Sequence, residues 1–215
     1  MNILSVIAAV LSGLPWTIAL TIAAFIAGAL VAIPLCMLRV AKNSALQNIA
    51  AGIILIVRSI PPIVWLFAVF FAFGQHVVRL DPFSAAVMGL AIITAANMAE
   101  IYRGAMKAIP RGQFEAAQVI GLSTWQKYRH VIGPQIFRYA LPSASTFAIG
   151  LLKDTAIASA IGVPEVALVA NQLTQKTFKG LEIYAVAAVC YFALSFAMAY
   201  VARIADEKLR ARIER

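Results

Sequence analysis

Long apolar stretches separated by short charged segments dominate the pattern of this 215-residue chain. A bilayer core about 30 Å thick needs roughly 20 mostly apolar residues per helix. The apolar residues run on without the alternation expected of barrel strands, so each stretch predicts a membrane-spanning helix. Five stretches qualify: Trp16–Leu38, Ile49–Phe73, Phe83–Ala105, Tyr139–Ile161 and Glu182–Ile204. The pattern therefore predicts an all-α polytopic membrane protein in which residues 1–215 form a single domain with five transmembrane helices.

Proline interrupts three of the predicted spans. Pro34 comes late in the first, Pro61 and Pro62 lie in the middle of the second, and Pro142 is near the start of the fourth. Proline frees a backbone carbonyl, which inside a membrane must find another partner within the protein. We therefore expect irregular helices that surround a polar interior.

Composition supports the membrane assignment, because 62% of the residues are hydrophobic and 13% are charged, against about 25% charged in a soluble domain. The net charge of +9 follows the ends of the spans and does not form one basic face, which favours membrane topology over nucleic-acid binding. With the N-terminus outside, the inside segments collect Arg39, Lys42, Arg103, Lys107, Arg111, Lys127, Arg129, Arg138, Arg203, Lys208, Arg210, Arg212 and Arg215. The outside segments keep Arg79, Lys176 and Lys179, so we expect a cytoplasmic C-terminus.

Three further features carry little chemistry. The first residues lack the basic segment of a cleavable signal peptide, so we expect the first helix to stay in the membrane. Cys36 and Cys190 fall within predicted spans and are expected to be buried apolar residues. His76 and His130 are isolated, so surface or interfacial roles are expected and no metal site is predicted.

The segment between the third and fourth spans is too charged and too amphipathic to cross a membrane. It predicts two short helices, one over 113–120 that stops at Gly121 and one that begins with a cap at Ser123 or Thr124 and ends before Pro134. Its aromatic residues are of the kind enriched at protein interfaces: Phe114, Trp125 and Tyr128. This segment is predicted to be a docking surface for another protein.

This loop, over about residues 109–135, resembles the cytoplasmic loop of the membrane subunits of ABC importers. The matching residues, in the order and spacing of that family, are Glu115-Ala116-Ala117, Gly121 and Ile132-Gly133-Pro134. The rest of the chain is most similar to the polar amino acid branch, which covers histidine, glutamate, glutamine, arginine and opines. Its matching segments are Arg58-Ser59-Ile60-Pro61-Pro62, Glu100-Ile101-Tyr102-Arg103-Gly104, Pro134-Gln135, Leu152-Lys153-Asp154-Thr155 and Ile161-Gly162-Val163-Pro164-Glu165.

The resemblance departs from the family pattern at two places. Ser59-Ile60 replaces Gly-Thr in the second span, and Ala96-Asn97-Met98-Ala99 replaces the Ala-Tyr that is common in the family before the third-span Glu100. Both places lie where the family is expected to line the pathway. The identity of the transported amino acid is therefore left open.

The resemblance implies a permease subunit of the type I ABC importer fold in a bacterial inner membrane. It implies a second permease subunit, identical or paralogous, two cytoplasmic ATP-binding subunits, and a periplasmic or lipid-anchored solute-binding protein. The residues expected to couple to the ATPase are Gln113, Glu115, Ala116, Ala117, Gly121 and Pro134. The chain has no Gly-x4-Gly-Lys-Ser/Thr phosphate loop. ATP and Mg²⁺ are therefore expected on the partner, with no catalytic residue and no cofactor in this chain.

Charged residues within spans are costly unless paired or hydrated, so each is a candidate functional residue. Arg58 is predicted to bind a substrate carboxylate, with an internal salt bridge as the alternative. Asn97 and Glu100 are candidates for a substrate ammonium group, although Arg103 lies on the same helix face and can neutralise Glu100. Asp154 is a candidate for substrate contact, packing or gating.

Three other functions compete with an ATP-driven permease. An ion-coupled secondary transporter usually has more spans or inverted repeats, and neither is visible in the sequence. A membrane enzyme needs converging catalytic groups, which no motif indicates. A non-transporting scaffold subunit is disfavoured by the charged residues within the spans.

Overall fold

The computed structural model describes residues 2–73 and 79–211, and the regular structure within them is helical throughout. His76 lies outside the described residues, as do Arg212 and Arg215. The helices are α1 Ile3–Leu11, α2 Leu14–Arg39, α3 Ser44–Ser59, α4 Pro62–Phe67, α5 Pro82–Ala108, α6 Arg111–Val119, α7 Thr124–Gln126, α8 Gly133–Asp154, α9 Val166–Thr177 and α10 Gly180–Ala211. The prediction of an all-α fold is confirmed.

Four described helical stretches are long and apolar enough to cross a membrane: Ile3–Arg39, Pro82–Ala108, Thr124–Ile161 and Gly180–Lys208. The helices Ser44–Ser59 and Pro62–Ala72 together are also long and apolar enough, but they meet at a bend of 100°. If this broken pair is counted as one span, the described residues contain five. The break falls at Pro61 and Pro62, neither of which has a backbone N–H to continue the α3 hydrogen-bond ladder.

The close packing of α2 against α5 forms the centre of the bundle. Gly28 on α2 lies directly against Thr94 on α5, with no room for a side chain between them. A buried cluster on one side of this contact includes Leu20, Leu66 and Leu90. A second cluster lies nearer the charged ends of the same helices. Many of its residues are small, namely Ala32, Cys36, Ala96, Ala99 and Ala144. Small side chains let these helices approach closely, as is common between membrane helices.

A third cluster joins the N-terminal helix to the end of the chain. Val6 and Val10 of α1 pack with Val166, Ala170 and Ile183 of α9 and α10. The hydrophobic pattern placed the first span at residues 16–38 and gave no separate role to the residues before it. In the structure these residues form α1, which packs against both α9 and α10.

The predicted end of the second loop helix is wrong. That helix was expected to stop before Pro134, but α7 passes through a π-helical segment, Lys127–Ile132, directly into α8. Pro134 is the second residue of α8 and lies inside this helical run, where it has no N–H to donate to the preceding π-helical turn. The loop therefore leads without a break into the fourth span.

Candidate functional site

A polar cavity of about 460 Å³ lies between α3, α5 and α8. Arg58 comes from α3, Asn97 and Glu100 come from α5, and Tyr139 and Ser143 come from α8. Three residues singled out in the sequence thus meet in one cavity. The remaining lining residues are small or apolar: Ile101, Gly104, Ala105 and Ala108.

Glu100 is held by two arginines on different helices. Arg103 donates to Glu100 Oε2 from Nε at 2.9 Å and from Nη2 at 2.5 Å, and Arg39 Nε lies 3.4 Å from Glu100 Oε1. The pair with Arg103 is the arrangement that the three-residue spacing predicts. Its second partner, Arg39, ends α2, so this ion cluster ties the C-terminal parts of α2 and α5 together.

Arg58 is the cation of the cavity that keeps its hydrogen-bonding capacity. No hydrogen bond or ion pair within 4 Å joins its side chain to another side chain of the residues that the structure describes, although Glu100 lines the same cavity. Asn97 donates from Nδ2 to the Ile93 carbonyl at 2.9 Å, which leaves its Oδ1 as an acceptor. The cavity therefore offers a planar cation and an amide oxygen, one suited to a carboxylate and the other to an N–H group.

Asp154 does not line this cavity. It is the last residue of α8, its side chain is exposed, and the chain turns directly afterwards into a 3₁₀ segment, Thr155–Ile161. Lys153 beside it is also exposed. In a single chain, Asp154 is therefore separated from Arg58, Asn97 and Glu100.

The loop helix α6 begins at a sharp corner after α5 and ends at a glycine. Gly121 has φ +74°, in the left-handed region that glycine adopts at helix ends. The N–H of Leu122 then bonds to the Ala117 carbonyl at 3.1 Å and closes the end of the helix. Glu115 and Ala116 are exposed, whereas Ala117 is buried, and α6 packs against the π-helical segment Lys127–Ile132 of the same loop.

The loop contains two side-chain contacts, one between its two ends and one at the start of α7. Gln135 at the start of α8 donates from Nε2 to Gln113 Oε1 on α6 at 3.1 Å. Ser123 and Gln126 form a reciprocal capping box at the start of α7, so the predicted cap is at Ser123. The hydrogen bond joins the two ends of the loop, and the capping box stabilises the start of α7.

The outer surface of this loop combines a carboxylate with large apolar side chains. Val119 is 86% exposed, Ile120 70% and Trp125 70%. Arg129 lies over the Trp125 ring, 5.8 Å from its centroid. Exposed apolar groups clustered beside charges are typical of a protein-binding surface.

A buried carboxyl group lies between the fourth and last spans, outside both. Glu165 caps α9 by accepting from the Leu168 N–H at 2.9 Å, and it also accepts a hydrogen bond from Tyr191 on α10. Thr17 on α2 is within 3.5 Å of the same carboxyl group. Burial raises the pKa of Glu165 above its ordinary value, while the hydrogen bond from Tyr191 acts in the opposite direction. The sequence gave Glu165 only as part of a motif.

Glu165→Gln is expected to remove a pH dependence of stability. The folded pKa is raised, so the carboxyl group stabilises the fold most below its unfolded pKa, near 4.5, and this contribution is lost as pH rises through the folded value. The melting temperature of the wild type should therefore fall, relative to Glu165→Gln, as pH increases above about 4.5. Glu182→Gln, at an exposed carboxylate, is the control. A pH-independent difference between wild type and Glu165→Gln would contradict this account.

A larger groove of about 700 Å³ lies between α1 and α10, and its lining is apolar except for Glu182. It offers no set of polar groups that would orient a solute. The polar cavity and the loop surface are therefore the two candidate sites in the described part of the chain.

Comparison with known proteins decides what these two sites belong to. The family described as the binding-protein-dependent transport system inner membrane component matches residues 24–211. The chain belongs to this family. The resemblance drawn from the loop and span motifs is thereby confirmed, and the inner-membrane location and the need for a binding protein and an ATPase follow from membership.

Three relatives of this permease are named for different amino compounds. It is 30% identical to the nopaline transport system permease of Agrobacterium fabrum, over 94% of this chain and 90% of that protein. It is 33% identical to the L-cystine transport system permease of Bacillus subtilis, over 92% and 85%. It is 32% identical to the glutamine transport system permease of Escherichia coli, over 76% of each chain. The relatives share an architecture and differ in the compound.

Solved structures agree with this permease in fold. The crystal structure of an amino acid ABC transporter with histidines superposes with a TM-score of 0.85 at 27% identity, covering 97% of this chain and 99% of that one. An inward-facing methionine ABC transporter gives a TM-score of 0.75 at 22% identity, covering 96% and 95%. The type I importer fold expected from the sequence is confirmed.

Proposed function

We propose that this permease pairs with a second permease, identical or paralogous, to form the pathway of an importer for a polar amino acid or an amino acid derivative. The observation that carries the proposal is the helical loop of residues 113–134, which presents Glu115 and exposed apolar side chains on its surface. Two ATP-binding subunits grip the two loops and hold the ATP and Mg²⁺. A periplasmic or lipid-anchored solute-binding protein delivers the substrate.

Of the residues proposed to couple to the ATPase, some contact the ATPase directly and others stabilise the loop. Glu115 and Ala116 face outward from α6 and contact the ATPase, while Ala117 is buried in α6, which packs against the π-helical segment Lys127–Ile132. Gln113 braces α6 through Gln135. Gly121 ends α6, and Pro134 lies where the π-helical segment passes into α8, within the continuous helix that we propose carries loop motion into the fourth span.

Transport then follows from a two-state bundle. Closure of the two ATPases on ATP draws the loops together and rocks the spans so that a central pathway opens outward, and hydrolysis reverses the change. The ATPase surfaces bind the loops differently in the two states, which is the differential contact that such a switch requires. The charge distribution supports an outside N-terminus and a cytoplasmic C-terminus.

Within the pathway, Arg58 binds the carboxylate of the substrate. Asn97 Oδ1 accepts a hydrogen bond from the nitrogen of the substrate. Nopaline, cystine and glutamine, for which relatives are named, all carry a carboxylate next to a nitrogen-bearing carbon. Glu100 is engaged by Arg39 and Arg103 and shapes the cavity wall. Asp154 stands apart in one chain, and contributes to the pathway where two permeases meet.

Copurification with an ATP-binding subunit tests this function against the alternatives. The tagged permease is co-expressed with a candidate ATP-binding subunit from the same organism and purified in detergent. A stable complex that hydrolyses ATP supports the proposal. If the permease never retains an ATPase and moves solute without one, the result favours a secondary transporter. If it neither retains an ATPase nor moves solute, the result favours a scaffold subunit.

Arg58→Ala is expected to weaken substrate recognition. Loss of a charge-assisted contact to a carboxylate costs about 2 kcal/mol, so the KM for uptake should rise roughly 30-fold. Uptake is measured in proteoliposomes with radiolabelled nopaline, cystine, glutamine and arginine, using the compound that is taken up fastest. Lys107→Ala, at an exposed cation of α5 that does not line the cavity, should leave the KM unchanged. An unchanged KM in Arg58→Ala would contradict the carboxylate contact.

A further inference from the structure

The break between α3 and α4 leaves two carbonyl groups without their usual helical donors. In a continuous helix, the Val57 and Arg58 carbonyls accept from the N–H groups four residues later. Those positions are Pro61 and Pro62, which have no N–H. In a membrane span such carbonyls need a partner from the protein.

Trp65 supplies the donor for one of them. Its indole Nε1 donates to the Val57 carbonyl at 3.1 Å, in a partly buried setting. Along a straight helix the two residues would be about 12 Å apart, so this bond exists only because the arms are bent. Trp65 also packs against both hydrophobic clusters at the centre of the bundle. The ring therefore joins the two arms at a fixed angle.

The bonded carbonyl belongs to the peptide that leads directly into Arg58. The α3 helix sets the plane of that peptide, and the bond from Trp65 holds the last turn of α3, from which the Arg58 side chain leaves the backbone, against the second arm of the break. Arg58 lines the polar cavity, whereas Trp65 does not. The nearby hydroxyl of Ser59 is already used, because it donates to the Leu55 carbonyl at 2.7 Å.

We propose that Trp65 is a positioning residue for substrate recognition, which acts through the Val57 carbonyl to aim Arg58 into the cavity. The proposal rests on the proposed role of Arg58 as the carboxylate-binding group. Trp65 does not touch the substrate. Its indole N–H replaces the hydrogen bond that the proline pair removes and holds the break in the bent form.

Trp65→Phe tests the N–H while keeping an aromatic ring in place. In the assembled transporter, with the radiolabelled compound that gives the fastest uptake, the KM should rise about tenfold and the maximal rate should stay within about twofold. Trp65→Gln keeps an N–H donor at a similar reach and should restore the KM to within about threefold of wild type. Trp16→Phe, at a span tryptophan whose ring packs against Phe83, is the matched control and should leave the KM unchanged.

The double variant shows whether Trp65 acts through Arg58. In an Arg58→Ala background, Trp65→Phe should add no further rise in KM, because the group that it positions is gone. Independent, multiplicative effects would overturn the positioning role, as would an effect of Trp65→Phe that Trp65→Gln does not repair. If Trp65→Phe and Trp65→Gln both fail to assemble while Trp16→Phe does assemble, the role of Trp65 is purely structural and the proposal is wrong.

The failure of the underlying function gives a different result. If Arg58→Ala itself leaves the KM unchanged, the carboxylate contact is wrong and the positioning role is wrong with it. If Arg58→Ala raises the KM and Trp65→Phe does not, only the positioning role is wrong.

Discussion

Glu115→Lys is expected to lower ATP-driven uptake about 100-fold while leaving the permease folded. Glu115 is exposed on α6, the helix that we propose enters a groove of the ATPase. A reversed charge at the centre of such a contact places like charges together or leaves one unpaired, at a cost of several kcal/mol. Uptake and ATP hydrolysis are measured in the same proteoliposomes, and assembly is followed by size-exclusion chromatography.

The control for this variant carries the same charge change at another exposed carboxylate. Glu207→Lys lies near the end of α10, where its exposed pair with Arg203 contributes little stability. It should retain near-normal uptake. If Glu115→Lys kept wild-type uptake and substrate-stimulated hydrolysis, the loop of residues 113–134 would not be the coupling element.

Gly28→Ala is expected to destabilise the bundle strongly. The added carbon would lie 2.4 Å from Thr94 Cβ and 2.7 Å from the Ala91 carbonyl oxygen, well inside van der Waals contact. Neither atom can move without shifting the backbone of α5. Overpacking of this kind costs about 3 kcal/mol, which corresponds to a fall in melting temperature of roughly 10 °C.

Gly52→Ala is the matched control, because a carbon added at Gly52 on α3 meets no atom within 4 Å. Alanine is the better helix former, so this variant should keep or slightly raise the melting temperature. Both variants are compared as purified protein in the same detergent. Equal melting temperatures for Gly28→Ala and wild type would show that α2 and α5 are less closely packed than the structure has them.

The features that follow from the sequence are those set by local pattern. The run of apolar residues fixes where helices form, because the bilayer sets their length. Gly121 and Ser123 have local conformational roles that any helix end would give them, and the structure confirms both. The pairing of Glu100 with Arg103 also depends only on helical spacing.

Features that depend on contacts between helices are not readable in this way. Arg39 was counted only among the cations at the inner ends of spans, yet it approaches Glu100 from another helix. Tyr139 and Ser143 line the cavity because of how α8 is rotated, which no local pattern specifies. In the sequence, Trp65 is one more apolar residue of the second span. Its hydrogen bond to the Val57 carbonyl forms only because the chain bends at Pro61 and Pro62.

The error at Pro134 has a physical cause of the same kind. A proline in sequence marks a helix end or a helix start equally well, because its missing N–H is harmless in the first turn. The predicted helix end at Pro134 is therefore wrong. The π-helical segment before Pro134 keeps the chain helical, so the loop continues without a break into the fourth span.

ATP-dependent uptake by the reconstituted transporter tests the central claim most directly. Proteoliposomes contain the permease, its ATP-binding subunit and, outside, the solute-binding protein, and uptake is compared with ATP enclosed, with ATP absent, and with an imposed proton or sodium gradient. The account predicts uptake only with enclosed ATP and the complete set of subunits, unaffected by collapse of the ion gradients. Uptake driven by an ion gradient, without ATP or the ATP-binding subunit, would contradict it.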